Sequence, residues 1–168
     1  MVIKRLHKSA FTVIGKKGST EDGNGFVAEL WKKANAEMEE IFPLIKRDKK
    51  GKPIGCWGLR SDFSGELGEW EDGKGLYLAG VEVKEDSFAP FGWTKWTVPE
   101  SNYISIRVEG KKAEAVKEAL AYIEKLHLTV NGAYHEYMNP LAPGQTFLFF
   151  PVKDKDAFIF EHPLREDF

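Results

Sequence analysis

The chain is 168 residues long, 42% apolar and 30% charged, with 24 basic and 26 acidic side chains and a formal net charge of −2. That length suits one domain with its own core, the composition excludes wholesale disorder, and the charge balance speaks against a general nucleic-acid binder. No stretch approaches the ~20 apolar residues of a membrane span, the start MVIKRLHKSAF holds no long apolar signal region, and Cys56, the only cysteine, leaves a cytoplasmic location without disulfides as the expectation.

The first predicted strand is Ala10–Lys16, followed by turn glycines at Gly15, Gly18, Gly23 and Gly25. These match neither a phosphate-binding loop nor a dinucleotide fingerprint. From Phe26, apolar residues recur at Val27, Leu30, Trp31, Ala34, Met38, Ile41 and Phe42, the period of an amphipathic helix. Asp22 or Asn24 is its expected cap and Pro43 its expected end, with Trp31 in the core. The basic run KRDKKGK (Lys46–Lys52) is a solvated loop. Strands follow at Gly55–Phe63 and Gly75–Lys84, each rich in β-branched or aromatic residues and bounded by turn formers.

Glu85–Asn102, rich in Pro, Gly and Trp, is a crossover loop, since flexible linkers are poor in aromatics. A strand at Tyr103–Glu109 and a second helix with Ala113, Val116, Ala119, Leu120, Ile123 and Leu126 on one face come next. The last strands are Ala133–Met138 and Thr146–Val152. The order is β-α-β-β twice. SAFTVIGKKG (Ser9–Gly18) matches SNYISIRVEGKK (Ser101–Lys112), and YLAGVEVK (Tyr77–Lys84) matches FLFFPVK (Phe147–Lys153). The chain therefore reads as one α+β domain over 1–168, with repeat halves at about 4–86 and 101–153 and a C-terminal extension at 154–168. If the halves pack about a pseudo-twofold axis, the faces turned away from the helices form a central ligand groove.

Alternate strand residues share a face, so Tyr134, Glu136 and Met138 lie on one side of the penultimate strand and His135 and Tyr137 on the other. A carboxylate inside an aromatic strand is costly to bury unless it is paired or functional. Glu136 either pairs with a Lys or Arg or points to water, or it serves as the counter-charge of a lipophilic cation, to which aromatic rings add about 0.5–2 kcal/mol each. Desolvation would also suit it to acid–base work. Trp57, Trp93 and Trp96 are the candidate aromatic walls, and Tyr77 and Tyr103 the candidate hydrogen-bond donors. Phe147 and Phe149 share one face of the last strand, Leu148 and Phe150 the other; Phe149 is taken as a groove residue, although spacing does not say which pair is core. His7, His127, His135 and His162 have no metal-ligand spacing, so neither a metal nor a cofactor is expected. No nucleophile elbow is present, and Cys56 reads as buried and inert.

Taken together, KSAFTVIGKKGS, GLYLAGVEV, APFGW, VPESNYISIRVEG, AYHEYM and FLFFPVK resemble, in that order, the GyrI-like or effector-binding domain family over about Lys4 to Lys153. The resemblance implies a central groove for lipophilic, often cationic compounds, with the family glutamate at Glu136. The family pattern places a tyrosine two residues after that glutamate. Here Met138 stands there, with Tyr134 on the same face as a substitute. A stand-alone binding protein, for sequestration and resistance or for sensing, is the first expectation. A hydrolase of strained-ring, cyclopropane-containing toxins, with Glu136 and Tyr134 as its catalytic residues, is the second. A gyrase-inhibitor type of interaction protein is the third. No helix-turn-helix precedes Ala10, so no specific DNA binding is expected of this chain; a protein partner and a homodimer are left open.

Overall fold

The computed structural model describes residues 2–139, 142 and 144–155. The expected C-terminal extension lies outside the described residues, apart from Asp154 and Lys155. The strands are β1 (Ile3–Lys8), β2 (Phe11–Ser19), β3 (Cys56–Ser61), β4 (Leu76–Val83), β5 (Thr94–Val98), β6 (Ser101–Arg107), β7 (Leu128–Val130), β8 (His135–Met138) and β9 (Thr146–Asp154). The helices are α1 (Phe26–Ala36) and α2 (Lys112–Lys125). One antiparallel sheet runs β1-β6-β9-β8-β3-β4-β2-β5, with β7 pairing on β9.

The repeat is visible in that order. From the centre outward, β3, β4 and β2 mirror β8, β9 and β6, and β5 and β1 close the two ends. The halves join through β3 and β8, where Cys56, Trp57 and Gly58 face Met138, Tyr137 and Glu136. In-register partners share a face, so one row can be followed across the sheet: Ile106, Leu148, Glu136, Gly58, Ala79 and Lys16. Both helices lie on that face. α2 buries Ala115, Ala119 and Ile123 against Ile104, Ile106, Leu148 and Phe150. α1 covers β2 and β4, where Leu30 packs over Gly18 and Phe26 meets the Tyr77 ring edge-on.

The sequence places the groove on the helix-free side; there a cleft is lined by Val98, Tyr103 and His135, and a second cleft opens on the helix side beside Arg60 and Tyr134. Pairing Gly58 with Glu136 fuses the halves into one sheet, so both helices emerge on the same face and leave the central strands between them. The opposite face carries its own apolar layer of Phe11, Val13, Trp57, Leu59, Leu78 and Val98. Side chains from β5 and β9 meet there over β3, so the sheet coils strongly.

Several boundaries differ from the expectation. β1 has no strand signal in the sequence, because IKRLHK alternates charges on a strand with one neighbour among the described residues. The segment read as a crossover loop contains β5, and β7 is a three-residue strand too short for a pattern. α1 ends at Ala36, and a 3-10 turn over Met38–Leu44 continues the apolar stripe with Pro43 inside it. Neither expected residue caps α1: Gly25 stands at that position, while Ser19 and Asp22 cap a short 3-10 turn upstream.

Candidate functional site

Glu136 lies at the middle of the row between the helices, its side chain 12% exposed. Burial of a carboxylate at such a place costs several kcal/mol unless it is compensated. Two cations compensate it: Arg60 Nη2 stands 3.7 Å from one carboxylate oxygen and Lys112 Nζ 3.2 Å from the other. Arg60 comes from β3, two residues beyond Gly58 on the same face; Lys112 is the first residue of α2. The Arg60 guanidinium is held between two rings, 4.2 Å from the Trp70 centroid and 4.3 Å from the Tyr134 centroid. Its buried Nε–H has no acceptor among the described residues.

Tyr77 approaches from β4. Its hydroxyl accepts a hydrogen bond from Trp31 Nε1 at 3.1 Å, and burial together with the neighbouring Glu136 carboxylate pushes its phenol well above the ordinary range. The hydroxyl sits where a side chain on residue 58 would stand: a Cβ at Gly58 would overlap the Tyr77 oxygen. Tyr134 is also raised, by burial first and against the lowering effect of Arg60. A cleft of 170 Å³ opens beside Arg60 and Tyr134, lined also by Glu69, Trp70, Val116, Leu120 and Phe150; Glu136 lies behind Arg60 and is not part of its lining. The site thus combines a paired carboxylate, a phenol that stays protonated, a stacked guanidinium and aromatic walls. Among the described residues, no group of three His, Cys, Asp or Glu side chains is placed to hold a metal ion.

The residues expected at the site fall into two groups: Glu136 and Tyr134 stand together on the helix side. Trp57, Tyr103 and Phe149 lie on the other face of the sheet, where the Phe149 ring touches Trp57 at 5.1 Å and Tyr103 at 5.5 Å. Trp96 packs against the same layer. Trp93 is on the helix side but away from the groove, in a cluster with Ile14, Ile41, Val81 and Val83; its Nε1 donates to Glu40 at 2.8 Å and Lys16 stacks 4.0 Å above it. Strand parity explains the division, because Trp57 and Arg60 point to opposite sides of β3. Trp31, expected in the core, is half-buried and reaches the groove through Tyr77.

Arg60 and Trp70 line the cleft, and Tyr77 and Lys112 stand beside Glu136. Tyr77 was legible as a donor near it. Arg60 carried a signal of the same kind as Glu136, a lone charge inside an apolar strand, and was not singled out. Trp70 lies in the connection between β3 and β4, where no periodicity operates.

The opposite face holds a second buried carboxylate, Glu82 on β4, its side chain 4% exposed. Trp57 Nε1 donates to its Oε1 at 3.3 Å, and Lys8 Nζ lies 3.5 Å from the same oxygen. His135 is buried on this face; its Nδ1 accepts the Arg60 backbone N–H at 3.2 Å, and burial, aided by Arg60, lowers its pKa to about 3. Cys56 is half-buried and its thiol is pushed up by burial, which makes it a poor nucleophile.

No family model matches the chain, and no curated protein does. Solved structures do. SAV2435, solved bound to tetraphenylphosphonium, is 22% identical over 96% of this chain and 100% of its own, with a TM-score of 0.63. The EcmrR C-terminal domain is 13% identical over 91% of this chain and 98% of its own, with a TM-score of 0.66. A protein from Listeria innocua described as a hydrolase is 13% identical over 90% and 91%, with a TM-score of 0.55. These likenesses show the fold: the chain has the α+β GyrI-like effector-binding fold.

Proposed function

We propose that the protein binds a lipophilic cation in the groove between α1 and α2, with Glu136 as the counter-charge. The observation that carries this is the Arg60 guanidinium, a flat delocalised cation seated between Trp70 and Tyr134 and against Glu136. A place that accommodates such a group is suited in charge and shape to an aromatic or aryl-substituted cation. The tetraphenylphosphonium bound to SAV2435 is a compound of that class. In this chain the incoming cation shares or takes over Glu136 from Arg60 and Lys112. Lys112 yields first, because its side chain is 41% exposed and its charge is readily solvated.

The whole chain acts as one binding unit, in the cytoplasm, for sequestration or sensing. Fluorescence titration with tetraphenylphosphonium and with a planar dye cation tests the assignment. Wild type should saturate, and Glu136→Gln should bind at least tenfold more weakly, a loss of about 1.4 kcal/mol. Equal affinity of the two proteins would remove Glu136 from the site.

A second function rests on a different observation, the placing of the Tyr77 hydroxyl beside Glu136. A carboxylate that activates water and a phenol that donates a proton are the parts of a hydrolase acting on a strained electrophile. Here Tyr77, and not Tyr134, would be the donor. Mass spectrometry after incubation with cyclopropane-containing electrophiles separates the two functions: a binding protein returns its compound unchanged, whereas repeated formation of the water adduct by wild type, lost in Tyr77→Phe, identifies an enzyme.

A further inference from the structure

The Glu82 carboxylate lies on the sheet face away from the groove, and the side chains around it form a cage. Phe11 and Trp57 stack at 4.7 Å with their planes 37° apart, and Tyr137 meets Trp57 at 4.9 Å. The Lys8 ammonium sits 4.5 Å from the Phe11 centroid, 5.6 Å from the Trp57 centroid and 3.5 Å from Glu82 Oε1. Trp57 turns its N–H edge to Glu82, and the ring faces of Phe11 and Trp57 lie by the ammonium; a cation held by a carboxylate and aromatic faces is the chemistry that recognises an alkylammonium group, and here the chain supplies that group itself.

The members of the cage are not equally committed. Glu82, Phe11 and Trp57 are 3%, 5% and 2% exposed, so their places are fixed by packing. Lys8 is the last residue of β1, a strand bonded among the described residues to β6 alone, and its side chain is 27% exposed. It can swing into water, where its ammonium is fully hydrated, whereas Glu82 cannot follow. When Lys8 leaves, Glu82 keeps the Trp57 N–H and a looser contact with Lys46 Nζ, 3.8 Å from Oε2 and largely in solvent. The Lys8 ammonium then leaves a place over the two rings and beside Glu82.

We propose that Glu82, Phe11 and Trp57 form a second cation site, on the opposite face of the sheet from Glu136, which Lys8 keeps closed and which a linear alkylammonium compound opens by displacing the Lys8 side chain. The site takes a straight-chain amine, the chemistry of the Lys8 side chain it already holds, in preference to an aryl cation. It stands independently of the groove, because the two carboxylates lie on different faces.

Isothermal titration with n-butylammonium tests it on wild type, Lys8→Ala, Lys8→Ala/Glu82→Gln and Lys8→Ala/Glu136→Gln. Lys8→Ala should bind at least tenfold more tightly than wild type. The gain should vanish with Glu82→Gln and survive Glu136→Gln. Thermal unfolding gives a readout that tolerates a weakened variant: n-butylammonium should raise the midpoint of Lys8→Ala more than that of wild type. Equal affinities for Lys8→Ala and wild type, no saturable binding to either, or a gain that survives Glu82→Gln would overturn the proposal. A gain lost with Glu136→Gln would place the ammonium in the groove and overturn it equally.

Discussion

Glu136 stands directly across the β3–β8 ladder from Gly58, at the seam where the two halves of the sheet join. Because residue 58 has no side chain, the Tyr77 phenol reaches over the strand from β4 toward the carboxylate. The missing Cβ is thus part of the site: it sets how close a tyrosine can come to the central glutamate.

Replacing Gly58 with Ala should displace Tyr77 and cost about 1–3 kcal/mol by overpacking. Gly58→Ala/Tyr77→Phe should recover part of that loss and not all of it, since the closest overlap is with the hydroxyl oxygen and the ring carbon Cζ, which Phe retains, overlaps as well. Urea unfolding of the two variants against wild type checks this. Additive losses would mean that the two residues do not compete for the same space.

Lys112→Ala should leave stability within about 1 kcal/mol, because the lysine end of its pair with Glu136 is solvated. The same change removes one positive charge beside the ligand, so tetraphenylphosphonium should bind about tenfold more tightly. The dye titration described above measures it, and the gain should shrink as salt is raised. Unchanged affinity at low salt would separate Lys112 from the binding site.

Arg60→Ala should be more damaging than Lys112→Ala. Arg60 is 15% exposed, stacks on two rings and holds one oxygen of Glu136, so its loss empties space and leaves a buried carboxylate with Lys112 as its remaining cation among the described residues. A cost of about 2–4 kcal/mol is expected, below the ~3–5 of a pair fully broken because Lys112 remains. Arg60→Lys should restore part of the stability but not the stacking. Denaturant midpoints for the two variants decide between them.

His135 should make the protein acid-sensitive. Its pKa is about 3 in the fold, below the 6.5 of an unperturbed histidine, so the unfolded chain takes up the proton first. Its contribution to stability is complete above pH 6.5 and is lost as pH falls from there toward 3, by no more than about 1.4 kcal/mol per pH unit. His135→Gln can still accept the Arg60 N–H and should flatten the decline between pH 6.5 and 4.5. Identical slopes for wild type and variant in denaturant titrations across that range would remove His135 as the cause.

Much of the architecture was legible in residue order. The periodic faces of the two helices, the apolar strands and the pairing of SAFTVIGKKG with SNYISIRVEG and of YLAGVEVK with FLFFPVK all follow from local patterns. The structure places β2 opposite β6 and β4 opposite β9 in the two halves, as those matches require. Strand parity also put Tyr134 and Glu136 together and His135 and Tyr137 apart from them, because the side-chain alternation of a strand is a local property.

What the order of residues left undecided was which strands meet. Glu136 gains Gly58 and Arg60 as neighbours only because β8 pairs with β3, a contact between residues about 80 apart in the chain. The β3–β4 register in turn brings Tyr77 over Gly58, and the β2–β4 register puts Glu82 on the face that carries Phe11 and Trp57. Side-chain periodicity is written into consecutive residues. The choice of partner strand belongs to the packing of the whole sheet, and it alone determines which carboxylate meets which cation.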